Sequence, residues 1–164
     1  MASIKIKLEP YLEDYLRYVF SIKPKEEIQI HRQNDIGRCI MGVLIELEFP
    51  EKQLNASDLI TIHLPTLRNV DLDTKFVSVD KWGNDRIRDY ILAEFNANSK
   101  AFFEIGYERN FQQKDIVDAF LHGYNIRNNS LSFEAVKKSD YRRRKKKASL
   151  VFNEIQGYIN QYVK

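Results

Sequence analysis

Apolar residues along this chain recur at two periods, and the dominant period changes near the middle. Ile4, Ile6 and Leu8 alternate with Lys5 and Lys7, as a strand with one buried face requires. Pro10 follows where the first turn of a helix tolerates it, and Tyr11, Leu12, Tyr15, Leu16, Val19 and Phe20 then form a helical stripe. After the break at Lys23-Pro24-Lys25, Ile28 and Ile30 predict a second short strand. Asn34 or Asp35 is the expected N-cap of a second helix, which buries Ile36, Ile40, Val43, Leu44 and Leu47 and is stopped by Pro50. Gly37 and Gly42 inside it each cost about 1 kcal/mol against alanine, which points to close approach of another backbone. Ile60, Ile62 and Leu64, closed by Pro65, predict a further strand, and Phe76-Val77-Ser78-Val79 another.

From about Asn84 the pattern is helical throughout. Ile87, Ile91 and Phe95, then Phe102 and Ile105, mark one long helix, with Asn96-Ala97-Asn98-Ser99 as the place where it loosens. A second helix runs from about Gln113 to His122 with Ile116, Val117, Phe120 and Leu121 inward, and a last one begins near Ser130 or Ser132 and continues past Tyr158. The predicted fold class is therefore α+β and predominantly helical. A small sheet with helices occupies the N-terminal half, and the helical C-terminal half carries a helix-turn-helix-like pair. A chain of 164 residues fits one domain, with 1–80 (α/β) and 81–164 (helical, basic) as candidate subregions.

The helix-turn-helix reading rests on spacing. Ala119 stands where a small residue lets the second helix pack closely, Gly123 where a left-handed residue stops the first, and Ile126 where an apolar side chain plugs the corner. Phe133 and Val136 then face inward, although Asn128-Asn129-Ser130 lengthens the turn by about four residues relative to the tightest form of the motif.

Charge adds more to this picture than composition does. Between Ser132 and Lys147 stand Lys137, Lys138, Arg142, Arg143, Arg144, Lys145, Lys146 and Lys147 against Glu134 and Asp140, a net +6, so the rest of a chain of total charge +3 carries −3. Six consecutive cations span almost two helical turns and repel one another at i, i+3 and i+4. Phosphate groups relieve that repulsion and release counterions on binding, which gives salt-sensitive affinity. These eight residues are thus the candidate nucleic-acid site, with DNA favoured over RNA; a nuclear localisation signal is a second use of such a run. Farther on, Ala148, Val151, Phe152, Ile155, Ile159 and Tyr162 continue an apolar stripe. It either closes onto the domain or pairs with a second copy through residues 148–162, and the alternative function is accordingly a structural or protein–protein interaction module.

Enzyme chemistry has no comparable signal. His31, His63 and His122 fall on separate elements without metal-ligand spacing, and no phosphate-binding glycine loop, His-Glu-x-x-His or Gly-x-Ser-x-Gly occurs. Acidic residues such as Asp71, Asp73 and Asp80 suit a nuclease metal, but a spacing of two in a loop carries little weight, so no cofactor, metal or catalytic residue is expected. Cys39, the single cysteine, excludes an intrachain disulfide and reads as a buried thiol. Tyr11 and Tyr15 read as core, and Trp82 beside Gly83 as a plug at a helix start in preference to a surface anchor for a partner. With no apolar run long enough for a signal peptide or a membrane span, the expected location is the cytoplasm and no membrane partner is expected.

Overall fold

In the computed structural model, residues 2–23, 26–50, 59–66 and 76–162 are described, with side chains as far as residue 156. The element order is β1 (Ser3–Lys7), α1 (Pro10–Val19), β2 (Ile28–Gln29), α2 (Asp35–Gly42), β3 (Ile45–Leu47), β4 (Leu59–His63), β5 (Phe76–Ser78), α3 (Lys81–Glu108), α4 (Gln113–Gly123) and α5 (Ser130–Tyr162). The class is α+β and predominantly helical, as the periodicity predicts. Contacts within the chain define two units: Met1–Phe95 with Tyr124–Ile126, and Asn96–Gly123 with Arg127–Lys164.

The first unit is built on a three-stranded sheet in the order β1-β4-β2. β4 runs antiparallel to β1, with Ile4 opposite Ile62 and Ile6 opposite Ile60, and parallel to β2, with Ile28 opposite Ile62. The alternation in β1 is the physical reason for the register. Ile4 and Ile6 are buried while Ser3, Lys5 and Lys7 are exposed, and a one-residue slip would exchange the two sets. α1 covers this core with Leu12, Tyr15 and Leu16, and Pro10 occupies its first turn. The helix ends at Ser21, a left-handed residue whose N–H donates to the Tyr18 carbonyl, while the Ile22 N–H donates to Arg17. Ile87, Ile91 and Phe95 of α3 complete the core, with the Phe95 ring edge-on to Tyr15 at 5.5 Å between centroids. Asn84 clasps the end of β1 by accepting from the Lys7 N–H and donating to its carbonyl, and Arg88 forks onto Glu9.

Three expectations for this unit are corrected. The strands form two sheets rather than one, because β3 pairs antiparallel with β5, Glu46 opposite Val77. α2 stops at Gly42, so Leu44 and Leu47 do not lie on its buried face: Val43-Leu44-Ile45 is rich in β-branched residues, and Ile45–Leu47 finds a strand partner instead. Asn34 is the N-cap, accepting from the Gly37 N–H at 2.7 Å. The two glycines then differ. A Cβ on Gly37 would strike the His31 carbonyl oxygen, whereas one on Gly42 would meet nothing within 4 Å. Only Gly37 marks a close backbone approach.

The second unit holds the C-terminal part of α3 with α4 and α5. Residues 96–99 stay helical. Their short polar side chains are used for contact, Ser99 donating to the Asn96 carbonyl and Ser139 donating to the Asn96 side chain at 2.8 Å. Phe103, rather than Phe102 or Ile105, is the fully buried residue of this stretch, and Ile105 is exposed. The tight helix crossing lies at Gly106, where an added Cβ would sit 2.5 Å from the Ile116 side chain. α4 buries Ile116, Val117, Phe120 and Leu121 as predicted. Among the described residues no helix is long and apolar enough to cross a membrane.

Candidate nucleic-acid interface

α5 begins where the local chemistry requires. The Asn129 side chain accepts from the N–H groups of Leu131 and Ser132, both at 3.0 Å, and so serves the free donors of the first turn. Of the helix-turn-helix markers, Ile126 and Val136 are buried, but Ala119 is exposed and packs no second helix. Gly123 does not take a left-handed conformation either; Asn125 does, with φ 51°. A tight helix-turn-helix is therefore not what presents α5.

Asp140 organises the basic segment. Its carboxylate is fully buried, with three hydrogen-bond donors and a further ion-pair partner, all from its own unit. The Tyr107 hydroxyl and the Gln113 side-chain amide each donate to Oδ2 at 2.8 Å. Arg143 donates to Oδ1 at 2.6 Å, and Arg144 Nε lies 3.0 Å from Oδ2. The same two guanidinium groups lie over aromatic faces, Arg143 over Phe103 at 5.5 Å and Arg144 over Tyr107 at 5.6 Å. Burial, and then its bond to Asp140, push the Tyr107 hydroxyl pKa up. One carboxylate thereby ties the end of α3, the start of α4 and the middle of α5 together, with its charge offset by two arginines.

Asp140 sorts the eight predicted cations by helical phase. At about 100° per residue, Arg143 and Arg144 fall on the Asp140 side of α5, whereas Lys138, Arg142 and Lys145 lie within about 40° of the opposite side. All three are exposed, and among the described residues no carboxylate lies within ion-pairing distance of them. They span about 10 Å of helix, close to three base-pair steps. Lys146 flanks this row. Lys137 pairs with Glu134 at 3.5 Å, an exposed contact worth little. Lys147 lies with Arg144 beside a hollow of about 450 Å³ whose other lining is Ala148, Val151, Phe152 and Ile155. From Lys145 to Gln156 every side chain is exposed, so this part of α5 is covered by no other described element.

Asp80 accepts from the Gly83 N–H at 2.6 Å and caps α3, while Asp71 and Asp73 lie outside the described residues. His63 Nε2 approaches Glu27 at 3.2 Å, and no group of three metal-ligating side chains occurs among the described residues. Cys39 is half-buried, and desolvation raises its thiol pKa despite Arg86 nearby. Trp82 is no plug: it is 62% exposed, and Gly83 is the residue that packs, against Val79 and Val43. Comparisons of the chain with protein-family models, with curated proteins and with solved structures gave no match.

Proposed function

We propose that the chain is a non-enzymatic, cytoplasmic DNA-binding protein that lays the outward row of α5, Lys138, Arg142 and Lys145 with Lys146 beside it, along duplex phosphates. The observation that supports this reading is the division of labour set by Asp140. Two arginines are tied to the buried Asp140, and the cations opposite them have no carboxylate partner among the described residues. A bare helix is about 10–12 Å across and fits the major groove of B-DNA, whereas the deep, narrow major groove of duplex RNA would exclude it. Titration of duplex DNA at rising salt tests the reading. Three to four phosphate contacts predict a slope of log K against log salt of roughly −2.7 to −3.6. No measurable binding at low salt, or a flat slope, would reject it.

A second reading is assembly through the distal part of α5. Its supporting observation is the exposure of Leu150, Val151, Phe152 and Ile155 on a helical segment that no other described element covers. The partner in this reading is a second copy lying antiparallel, since a parallel copy would place two basic segments side by side.

A further inference from the structure

The exposed Trp82 belongs to a cleft in the first unit. Trp82, Arg86 and Tyr90 recur at i, i+4 and i+8 and share one face of α3. Arg38, Cys39 and Gly42 share the facing side of α2, and the space between the two faces is about 420 Å³. That volume lies within the range of small-ligand sites. Its chemistry is specific in kind. Two aromatic rings, Trp82 and Tyr90, are accessible to solvent. The Arg86 guanidinium lies over one face of the Trp82 ring, 5.2 Å from its centroid, and among the described residues no carboxylate pairs with it. Arg38 stands across the cleft, held by Asp35. At Gly42 the wall is open, because a Cβ there would touch nothing.

A flat π-system beside an unpaired planar cation suits a ligand that carries both an aromatic ring and an anionic group. We propose that this cleft binds a nucleotide, with the base against the accessible rings of Trp82 and Tyr90 and the phosphate forked by Arg86, the charge of Arg38 being offset by Asp35. The site uses none of the α5 residues and stands independently of the DNA-binding proposal. Stacking supplies contact area without demanding one particular base, and the arginine fork supplies the discrimination in favour of phosphate.

Trp82 is the only tryptophan in the chain, so its fluorescence reports this site alone. The full-length protein is titrated with adenosine monophosphate, adenosine, inorganic phosphate and a short single-stranded oligonucleotide. The oligonucleotide arm uses protein carrying Lys138→Gln, Arg142→Gln, Lys145→Gln and Lys146→Gln, so that the outward row of α5 does not contribute. Saturable quenching by the monophosphate, about tenfold tighter than by adenosine, is the expected result and identifies a free nucleotide. Quenching by the oligonucleotide alone identifies a nucleotide unit within a strand. Arg86→Gln should weaken binding about tenfold, and Gly42→Phe should abolish it by filling the cleft while the far-ultraviolet spectrum stays unchanged. Absence of response to both nucleotide forms, or Arg86→Gln and Gly42→Phe variants that fold and bind like the parent, would overturn the proposal.

Discussion

Asp140 is the residue on which the C-terminal chemistry turns. A fully buried carboxylate is costly unless its lone pairs are filled, and here Tyr107, Gln113, Arg143 and Arg144 fill them. Asp140→Asn keeps the volume but removes the charge that the two arginines face. It should cost about 2–4 kcal/mol in denaturant unfolding, the lower part of that range being favoured because both guanidiniums reach solvent. The neighbouring phenol gives a pH signature. Because the folded-state pKa of Tyr107 is raised, its neutral form stabilises the fold fully below the ordinary value of 10.0 and progressively less as pH rises through the raised value. Tyr107→Phe should therefore lower stability by about 1 kcal/mol at neutral pH and flatten the alkaline decline measured from about pH 8 to about pH 11. A variant with an unchanged alkaline profile would show that the Tyr107 hydroxyl is not raised by its surroundings.

At the scale of elements, glycine substitutions separate the tight crossings from the open ones. Gly106→Ala drives a methyl group into Ile116 and should cost about 1–3 kcal/mol, and Gly37→Ala should cost at least as much because it meets backbone rather than a side chain. Gly42→Ala, with open space around it, should be neutral or stabilising by up to about 1 kcal/mol in thermal unfolding. The pattern of apolar residues was enough to place α1, α4, the start of α5 and the β1, β2 and β4 strands, since each carries one clean period over its length. It failed where tertiary pairing decided the outcome. Ile45–Leu47 joins a strand that lies far along the chain, and nothing within α2 announces that it stops at Gly42. Phe102 and Phe103 are adjacent, and only the packed structure distinguishes which is buried. The candidate site was half legible. The cationic run stood out, whereas its sorting into inward and outward rows was overlooked, although the i, i+3 and i, i+4 spacing of Asp140 to Arg143 and Arg144 was there to be read. Of the two readings of Trp82, a surface anchor or a helix-start plug, adjacency to glycine favours the plug, whereas the ring is exposed. A single aromatic residue leaves no periodic trace that would decide between them.

For the whole molecule, the uneven charge governs behaviour in solution. Residues 132–147 carry +6 and the remainder −3, so attraction to polyanions should respond to salt far more strongly than a net charge of +3 implies. If a second copy covers the apolar stripe, sizing should give a dimer that strengthens with salt, as apolar burial grows and repulsion between basic segments is screened, and Phe152→Glu should return it to the monomer. A monomer at every salt concentration would reject assembly through the distal part of α5. The most direct test compares two variants of equal charge, Arg142→Gln with Lys145→Gln and Arg143→Gln with Arg144→Gln, in duplex DNA titrations at several salt concentrations. The outward pair should flatten the salt slope by about 1.8 while unfolding stability stays unchanged, and the inward pair should lower stability and leave the slope intact. Equal flattening by both pairs, or an unaltered slope in the outward pair, would contradict the division of the basic helix into a structural face and a binding face.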